Sequence, residues 1–500
     1  MTQTSGRPRM SGSSHRRPSG GGRPSGGPRR SGSSRPSAGP SPLELALTAA
    51  AETPAPEARP FVEFDLPKPL VTALIGRGME QPFAIQTRVL PDALAGRDVL
   101  GRAQTGSGKT LAFGIPVLAR LHASSSVRKP MTPRALILVP TRELARQVAD
   151  ALTPLAHALD QRVTTVVGGL SMSRQIDALR RGVDVVVATP GRLIDLMERN
   201  SCQLGSIEIT VIDEADHMAD LGFLPAVRQI LDATPNGGQR LLLSATLDGG
   251  VDKLVRDYLT DPAFHAVAQT TDAATAMDHK VFTLRGEDKV AVASEIAVRP
   301  ARTLFFVRTK HGADRLAKQL SRAGAEAAAI HGNLNQNQRQ RALDAFAAGH
   351  PRVLVATDVA ARGIHVDDVD LVVHYDLPND HKDYLHRSGR TARAGARGTV
   401  VSFVEPFQTR DVVRLHRDAS VTATTDQVYS GHEVVRELGA SGEPVVIQPM
   451  PPQSREGRGG EIRRRSPGGG MGNRSGRPAG RPRTPRPPSS GGSTSSYSAR

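Results

Sequence analysis

The chain has 500 residues, 38% of them hydrophobic, which is enough for two or three domains of ordinary size. It contains one cysteine, Cys202, so neither an intrachain disulfide nor a cysteine-rich zinc cluster can form, and we expect a reducing, cytoplasmic location. No run of about 18 apolar residues occurs, and none follows the basic N-terminus, so we expect neither a transmembrane helix nor a secretory signal.

The formal net charge of +16 is concentrated at the two ends of the chain. Residues 1–40 carry eight arginines and no acidic residue, and residues 453–500 carry eleven arginines and two glutamates, so the part between them is nearly neutral. Both ends are rich in Gly, Ser and Pro and have too few apolar residues to offset the entropy of ordering. We therefore predict disordered basic tails over residues 1–58 and within residues 426–500, which attract phosphates without reading sequence. A tail that only keeps the protein soluble is the alternative.

Short apolar runs alternate with longer helical patterns between the tails. Strands that alternate with helices and read as continuous apolar runs indicate a parallel sheet covered on both faces. The pattern starts again after an Ala- and Thr-rich linker at residues 266–278, so we predict an α/β fold of two domains, residues 59–265 and 279–425, followed by a C-terminal extension. The predicted strands are Asp98–Arg102, Arg134–Val139, Arg162–Val167, Asp184–Ala188, Glu208–Ile212 and Arg240–Leu243 in the first domain and Val281–Leu284, Thr303–Val307, Ala327–Ile330, Val353–Val355, Leu371–His374 and Thr399–Val404 in the second.

A glycine-rich loop from Ala103 to Thr110 follows the first predicted strand and precedes an apolar helical pattern. Its glycines let backbone N–H groups turn inward around phosphate oxygens, at the positive end of the next helix. Lys109 would reach the β and γ phosphates of a nucleotide, and the Thr110 hydroxyl would bind Mg²⁺. Ala103 replaces the usual first glycine of this pattern. The predicted nucleotide-binding residues of the loop are Gly106, Ser107, Gly108, Lys109 and Thr110.

An acidic run, Asp213 to Asp216, follows the strand predicted at Glu208–Ile212. Carboxylates this close together repel one another unless a cation neutralises them, and Mg²⁺ on a nucleotide is the natural one. Asp213 would hold the metal, partly through water, and Glu214 would act as general base on the attacking water. Acids that merely decorate a helix N-terminus are the alternative, which the neighbouring phosphate loop disfavours.

With these two motifs the chain resembles the DEAD-box family of ATP-dependent RNA helicases, of superfamily 2. The resemblance runs from Phe61 to about Val404 and keeps the order of the family's motifs. It implies two tandem RecA-like domains that bind ATP, Mg²⁺ and RNA across their cleft. The other matching segments are Pro140–Ala145, Gly168-Gly169, Thr189–Arg192, Ser244–Thr246, His331-Gly332, Ala356–Ile364 and His386–Arg393.

The resemblance assigns two residues to the adenine of ATP. Gln86 matches the family's adenine-reading amide, which can donate and accept at once, and Phe61 matches its upstream stacking aromatic. Phe61 could instead be an ordinary core residue. Met79 and Phe83 stand where the family usually has an aromatic residue and a small hydroxyl residue.

The second domain is expected to complete the catalytic site. Arg390 and Arg393 match the family's arginine fingers, whose planar charge suits phosphoryl transfer. The resemblance also assigns Gly363 and His365 to ATP binding. His365 replaces the aspartate that the family uses to contact the ribose, which predicts weaker coupling between ATP binding and domain closure. The residues that the resemblance assigns to coupling between the domains are Asp216, Ser244, Thr246, His386 and Arg387.

RNA is expected to follow a track across both domains. Small residues, hydroxyls and backbone amides bind phosphates and sugars, so recognition should be independent of sequence, and 2′-hydroxyl contacts would favour RNA over DNA. The track residues implied by the resemblance are Arg142, Gly169, Thr189 and Arg192 in the first domain and His331, Gly332 and Thr357 in the second.

These observations predict an RNA-dependent ATPase that unwinds RNA duplexes locally, with a monomeric core, no membrane contact, and ribosomal or RNA-decay assemblies open as partners. An ATP-gated RNA clamp or annealing chaperone, acting mainly through the arginine-rich tails, is the alternative. A translocating DNA helicase is disfavoured by Gln86 and by the lack of a recognisable DNA-binding module.

Removing residues 1–40 and 453–500 distinguishes the helicase from the clamp. A helicase core is expected to keep RNA-stimulated ATP turnover, with weaker RNA affinity and a shallower dependence of that affinity on salt, because the tails supply phosphate contacts. ATP hydrolysis with RNA at several salt concentrations measures both effects. Loss of most activity on RNA would favour the clamp.

Overall fold

The computed structural model describes residues 41–54, 56–57, 59–103, 107–247, 249–267, 277–361, 369–392 and 397–445. Within these ranges the strands form two sheets of seven parallel strands each. We call each sheet with its helices a lobe. The predicted α/β fold with two parallel sheets is confirmed.

The first lobe carries the sheet order β3-β4-β2-β5-β6-β1-β7. Its strands are β1 Val99–Arg102, β2 Ala135–Leu138, β3 Val163–Val166, β4 Val185–Ala188, β5 Ile209–Asp213, β6 Gln239–Ser244 and β7 Ala263–Ala266. Its helices are α1 Pro42–Glu52, α2 Lys68–Ile75, α3 Ala84–Leu94, α4 Lys109–Ala123, α5 Arg142–His157, α6 Met172–Arg180, α7 Pro190–Glu198, α8 Ala215–Asp220, α9 Leu224–Asp232 and α10 Gly249–Tyr258, with a 3₁₀ turn at Phe61–Glu63.

The second lobe has the order β10-β11-β9-β12-β13-β8-β14. Its strands are β8 Met277–Thr283, β9 Thr303–Phe306, β10 Ala327–Ile330, β11 Val353–Ala356, β12 Leu371–His374, β13 Gly398–Val404 and β14 Thr424–Gln427. Its helices are α11 Lys289–Ala297, α12 Lys310–Arg322, α13 Gln336–Ala347, α14 Asp358–Ala361, α15 His381–Ser388, α16 Thr409–Asp418 and α17 Glu433–Ala440, with a 3₁₀ turn at Pro406–Gln408.

Both faces of each sheet are buried under helices. Successive side chains of a strand point to opposite faces, so Val99 joins one hydrophobic cluster of the first lobe and Leu100 joins the other. The second lobe divides in the same way, with Phe305 on one face and Leu304 on the other. This two-sided burial explains why the strands read as continuous apolar runs. The twelve predicted strands are present, with ends shifted by a few residues.

Two edge strands, β7 and β14, had no recognisable signal in the sequence. Strand β14 has the sequence TTDQ and is largely exposed, so its hydrogen bonds to β8 hold it without an apolar pattern. Helix α17 follows and packs on α11 through buried Val435 and Leu438. The segment after residue 425 therefore extends the second lobe, and β8 begins at Met277, inside the predicted linker.

Helix α1 lies within the predicted N-terminal tail, so residues 42–52 are helical and not disordered. Ser41 caps the helix by accepting from the N–H of Glu44, and Leu47 is buried in the core of the first lobe. Arg88 donates to the carbonyl oxygens of Ala50 and Thr53. Leu43, Ala50 and Ala51 pack beside Leu47, so apolar contacts and a few hydrogen bonds dock a helix that composition alone could not reveal. Residues 1–40 and 446–500 lie outside the described part of the chain. Among the described helices, none combines the length and the apolar character that a membrane span requires.

Three histidines surround Tyr384 inside the second lobe. Nδ1 of His279 lies 2.8 Å from the Tyr384 hydroxyl, and Nδ1 of His374 lies 3.3 Å from Oγ of Ser402. The rings of His374 and His416 stand edge-on to the Tyr384 ring, with centroids at 4.9 and 5.0 Å. Burial lowers the pKa of His279 to about 4, and burial also lowers the pKa values of His374 and His416. The cluster is therefore neutral at pH 7, and it joins β8, β12 and β13 to α15 and α16.

Acid is expected to destabilise the second lobe through this cluster. Because the folded pKa values lie below the ordinary value of 6.5, the unfolded chain takes up protons first, and stability is lost as the pH falls from about 6.5 to about 4. For His279 alone the lowered pKa corresponds to about 3 kcal/mol. The substitution His279→Gln should reduce the loss of unfolding free energy between pH 7.5 and 5, measured by urea denaturation. The exposed residue His122 provides the control His122→Gln, and an equal loss in both variants would contradict the prediction.

Candidate functional site

The phosphate loop ends at a left-handed glycine. Gly108 has φ 85° and ψ 20° and stands immediately before α4, which begins at Lys109. A residue with a Cβ is strained at this φ, so glycine is required where the chain turns into the helix. Lys109 is 7% exposed, and its charge acts on both Asp213 and Glu214. The structure thus brings the predicted loop lysine to the predicted acidic run.

Buried Asp213 and Glu214, whose side chain is 12% exposed, form a pair of carboxyl groups at the end of β5. Burial raises the pKa of Asp213 to about 6, against the opposing charge of Lys109. Burial would also raise the pKa of Glu214, but a hydrogen bond from His217 (Nδ1 to Oε2, 3.1 Å) and the charges of His217, Lys109 and Arg390 hold it at about 2. Glu214 is therefore an ionised hydrogen-bond acceptor, while Asp213 calls for a further cation.

Mg²⁺ suits the oxygen donors at this position. The Thr110 hydroxyl and the Asp213 carboxyl group are hard oxygen ligands, the type that Mg²⁺ prefers beside nucleotide phosphates. A cation there would offset the burial that raises the pKa of Asp213. The residues present therefore fit the metal that the sequence predicted, with Thr110 and Asp213 as its protein ligands.

Asp216 connects the acidic run to the end of β6. Its carboxylate accepts from the backbone N–H of Thr246 at 2.9 Å and from the Thr246 hydroxyl at 3.1 Å, and its own N–H donates to Ser244 Oγ at 3.2 Å. Ser244 in turn donates to the Thr246 carbonyl at 2.7 Å. Three of the residues predicted to couple the domains therefore form one hydrogen-bonded unit in the first lobe. Their role in coupling remains a prediction.

Two arginines of the second lobe lie at helix α15, with Arg387 in its last turn and Arg390 two residues after its end. Arg387 is 2% exposed and is held by Asp358 (Nη2 to Oδ2, 2.8 Å) and by the Asp376 carbonyl (2.6 Å). Arg390 is buried, and Nε donates to the His386 carbonyl at 3.3 Å. The charge of Arg390 adds the smallest named contribution to lowering the pKa of Glu214, after His217 and Lys109. Among the predicted residues, Gly106, Gly363, His365 and Arg393 lie outside the described part of the chain.

Polar contacts between α5 and α13 join the two lobes directly. Oε1 of buried Glu143 accepts from Gln336 Nε2 at 3.0 Å and lies 3.2 Å from Nη2 of Arg339. Nη1 of Arg142 also donates to Gln336 Oε1, at 3.4 Å. The sequence alone does not single out Gln336 and Arg339. Their spacing places them on one helix face, but polar residues at that spacing are common on exposed helices.

Three of the first-lobe residues predicted to bind RNA lie around one glycine turn. Gly169 has φ 77°, and a Cβ built on it would lie 2.0 Å from Nη1 of Arg142, so the guanidinium group rests directly on the turn. Nη1 of Arg192 donates to the carbonyl of Leu170 at 3.2 Å. Thr189 precedes α7 and is largely buried. These groups place guanidinium and backbone N–H donors near one another, as a phosphate contact requires.

The second-lobe residues of the predicted track differ in accessibility. His331 is 4% exposed, and its ring nitrogens lie 3.0 Å from Asp314 Oδ1 and 3.3 Å from the N–H of Asn333. Both ring nitrogens therefore have partners within the second lobe, and a contact of His331 with RNA stays a prediction. Gly332 has open space where a Cβ would lie, and Thr357 is 9% exposed at the end of β11.

The two residues assigned to adenine are both turned inward. Phe61 is 1% exposed and packs in the core of the first lobe, 6.4 Å from the Phe64 ring, so the core interpretation describes its position. Gln86 is also 1% exposed; its Oε1 accepts from the Phe83 N–H at 2.9 Å, and its Nε2 donates to the Gly108 carbonyl at 2.9 Å. Gln86 therefore ties the start of α3 to the start of α4.

Comparison with known proteins finds one family model that matches within the first lobe and another that matches within the second. Residues 83–254 match the family model described as DEAD/DEAH box helicase, and residues 288–395 match that of the helicase conserved C-terminal domain. The chain is 44% identical over 361 residues to DEAD-box ATP-dependent RNA helicase 3B, chloroplastic, of Zea mays, covering 71% of this chain and 48% of that protein. It is 39% identical over 353 residues to RNA helicase CrhR of Synechocystis, covering 70% of each chain.

A solved structure shares both lobes. Dbp5 of S. cerevisiae, bound to RNA and ADP BeF3, superposes with a TM-score of 0.67 at 29% identity, covering 76% of this chain and 99% of that one. The chain spans about half the length of the maize relative, so the shared part is the pair of lobes and not the whole of that protein.

Glu143 is expected to hold the lobes together. The substitution Glu143→Ala leaves Arg339 and Gln336 without their buried partner, which should favour separated lobes by about 1–3 kcal/mol. Energy transfer between dyes on cysteines introduced at the exposed positions Glu198 and Lys318 measures the separation, since Cys202 is buried.

Asp344→Ala is the matched control for this interface. Asp344 lies 3.9 Å from Arg146 on the same two helices, but both side chains are about half exposed, so this pair contributes little. Equal energy transfer in the Glu143→Ala variant and the unsubstituted chain would contradict the assigned role of Glu143.

Proposed function

The chain belongs to the DEAD-box family of helicases, and from that premise we propose that it is an ATP-dependent RNA helicase. It would hydrolyse ATP to ADP and phosphate when its lobes close on RNA, and closure would separate short duplexes locally. The observation that carries the proposal is the direct contact between the lobes, in which Gln336 and Arg339 of the second lobe bind Glu143 of the first. A site assembled from both lobes ties catalysis to their closure.

Each described residue of the pocket has a distinct part in hydrolysis. Lys109 and the N–H groups at the start of α4 would hold the phosphates, and Thr110 and Asp213 would hold Mg²⁺, which shields the phosphate charge when bound. Glu214, kept ionised by His217 and Lys109, would orient the attacking water and accept its proton. Arg390 would neutralise the charge that develops on the transferred phosphoryl group.

RNA would cross the glycine turn of the first lobe and reach the second lobe near Thr357. Guanidinium groups and backbone amides contact phosphates and sugars, so we propose binding that is independent of sequence. Since Arg142 both rests on Gly169 and contacts Gln336, an RNA phosphate at this turn would touch the same arginine that joins the lobes. This arrangement supports coupling between RNA binding and closure.

We also propose a monomeric core in the cytoplasm, with ribosomal or RNA-decay assemblies as candidate partners. The single cysteine, which is buried, supports a reducing compartment. Fractionation of cells followed by crosslinking to RNA would test the location and identify the bound RNA together.

Two substitutions test the catalytic assignment. Lys109→Ala should abolish RNA-stimulated ATP hydrolysis because the phosphates lose their buried cation. Glu214→Gln should reduce it by about 10²–10⁴-fold, the usual contribution of a general base, while ATP binding persists.

Release of phosphate, measured with and without RNA, gives both effects. Glu198→Gln makes the same chemical change at an exposed position at the end of α7 and should leave the rate unchanged. Undiminished hydrolysis in the Lys109→Ala or Glu214→Gln variant would overturn the proposed site.

A further inference from the structure

A large aromatic side chain lies exposed beside the phosphate loop. Phe83 precedes α3 and is 62% exposed. This exposure leaves most of the apolar surface of the ring in contact with water, which is unfavourable. Its ring lies against the last glycine of the loop: a Cβ built on Gly108 would be 2.7 Å from Cδ2 of Phe83 and 2.5 Å from Nε2 of Gln86. The ring is thus within the span of one nucleotide of the N–H groups that start α4.

The backbone of Phe83 is fixed on both sides. Its N–H donates to Gln86 Oε1 at 2.9 Å, and its carbonyl accepts from the Thr87 N–H at 3.0 Å and from the Thr87 hydroxyl at 3.3 Å. Phenylalanine has no side-chain acceptor for the free N–H groups of the helix, so capping does not explain its presence. Packing does not explain it either, since the ring is mostly exposed.

The other groups assigned to the base are already engaged. Phe61 is buried in the core, and both polar atoms of the Gln86 amide are bonded to Phe83 and Gly108. Phe83 therefore presents an open aromatic face at the junction of α3 and α4. A nucleobase would cover that face and remove its apolar surface from water.

We propose that Phe83 is a positioning residue for the nucleotide and that its ring stacks on the base of bound ATP. This inference rests on the proposed ATP site. Stacking needs only a π-face, so the ring would raise affinity for a nucleoside triphosphate without choosing among bases.

The test measures binding of ATP, ADP and inorganic tripolyphosphate to the full chain by calorimetry. Phe83→Ala is expected to weaken ATP and ADP binding about tenfold, and Phe83→Tyr is expected to restore it, because tyrosine keeps the stacking face. Tripolyphosphate has no base, so all variants should bind it equally. Phe407→Ala, which removes a 76%-exposed ring from the second lobe, is the control and should bind ATP normally.

Each other outcome overturns a specific claim. If the unsubstituted chain binds neither ATP nor tripolyphosphate, the proposed function fails. If it binds ATP and the Phe83→Ala variant binds ATP equally well, only the stacking role fails. If Phe83→Ala weakens tripolyphosphate and ATP alike, the ring supports the loop and does not stack. If the Phe83→Ala variant unfolds at a lower temperature than the unsubstituted chain without ligand, the Phe83→Thr variant is used instead, because its hydroxyl can cap α3. The same three ligands are then compared.

Discussion

The candidate site depends on two adjacent carboxyl groups, buried Asp213 and largely buried Glu214. Carboxylates buried this close together are costly unless positive charge and hydrogen bonds surround them. Lys109 at the start of α4 supplies part of that charge, His217 of α8 supplies a hydrogen bond to Glu214, and Arg390 of the second lobe contributes further charge. Neither lobe therefore contains the whole environment of the acids.

Glycines serve the site by leaving room for other side chains. At Gly108 the space that a Cβ would fill is taken by Gln86 and Phe83, and at Gly169 it is taken by the guanidinium group of Arg142. Both glycines also have φ values near 80°, a backbone conformation that residues with a side chain rarely adopt. In each case the same residue permits the turn of the backbone and the close approach of a functional group. The end of the phosphate loop and the turn at Gly169 are thus built in the same way.

The strands and the motif order could be predicted because buried parallel strands are apolar throughout and the phosphate loop and acidic run have fixed spacing. Strand β14 could not, since a polar edge strand depends on hydrogen bonds to its neighbour and not on an apolar pattern. The contacts of Glu143 with Gln336 and Arg339 could not either, because they join elements nearly 200 residues apart. Phe61 shows a further limit: an aromatic at a matching position can face the core, and only packing decides which way it turns.

The histidine cluster around Tyr384 also gives the molecule an optical property. The chain has no tryptophan and five tyrosines, of which Tyr375, Tyr384 and Tyr429 belong to the second lobe and Tyr258 to the first. Tyrosine fluorescence of the intact chain is therefore weighted toward the second lobe. No tryptophan is present to accept its energy. Tyr384, which is 1% exposed and bonded to His279, loses both its imidazole neighbour and its shielding from water when that lobe opens. Its spectrum can report the unfolding of a single lobe without any label.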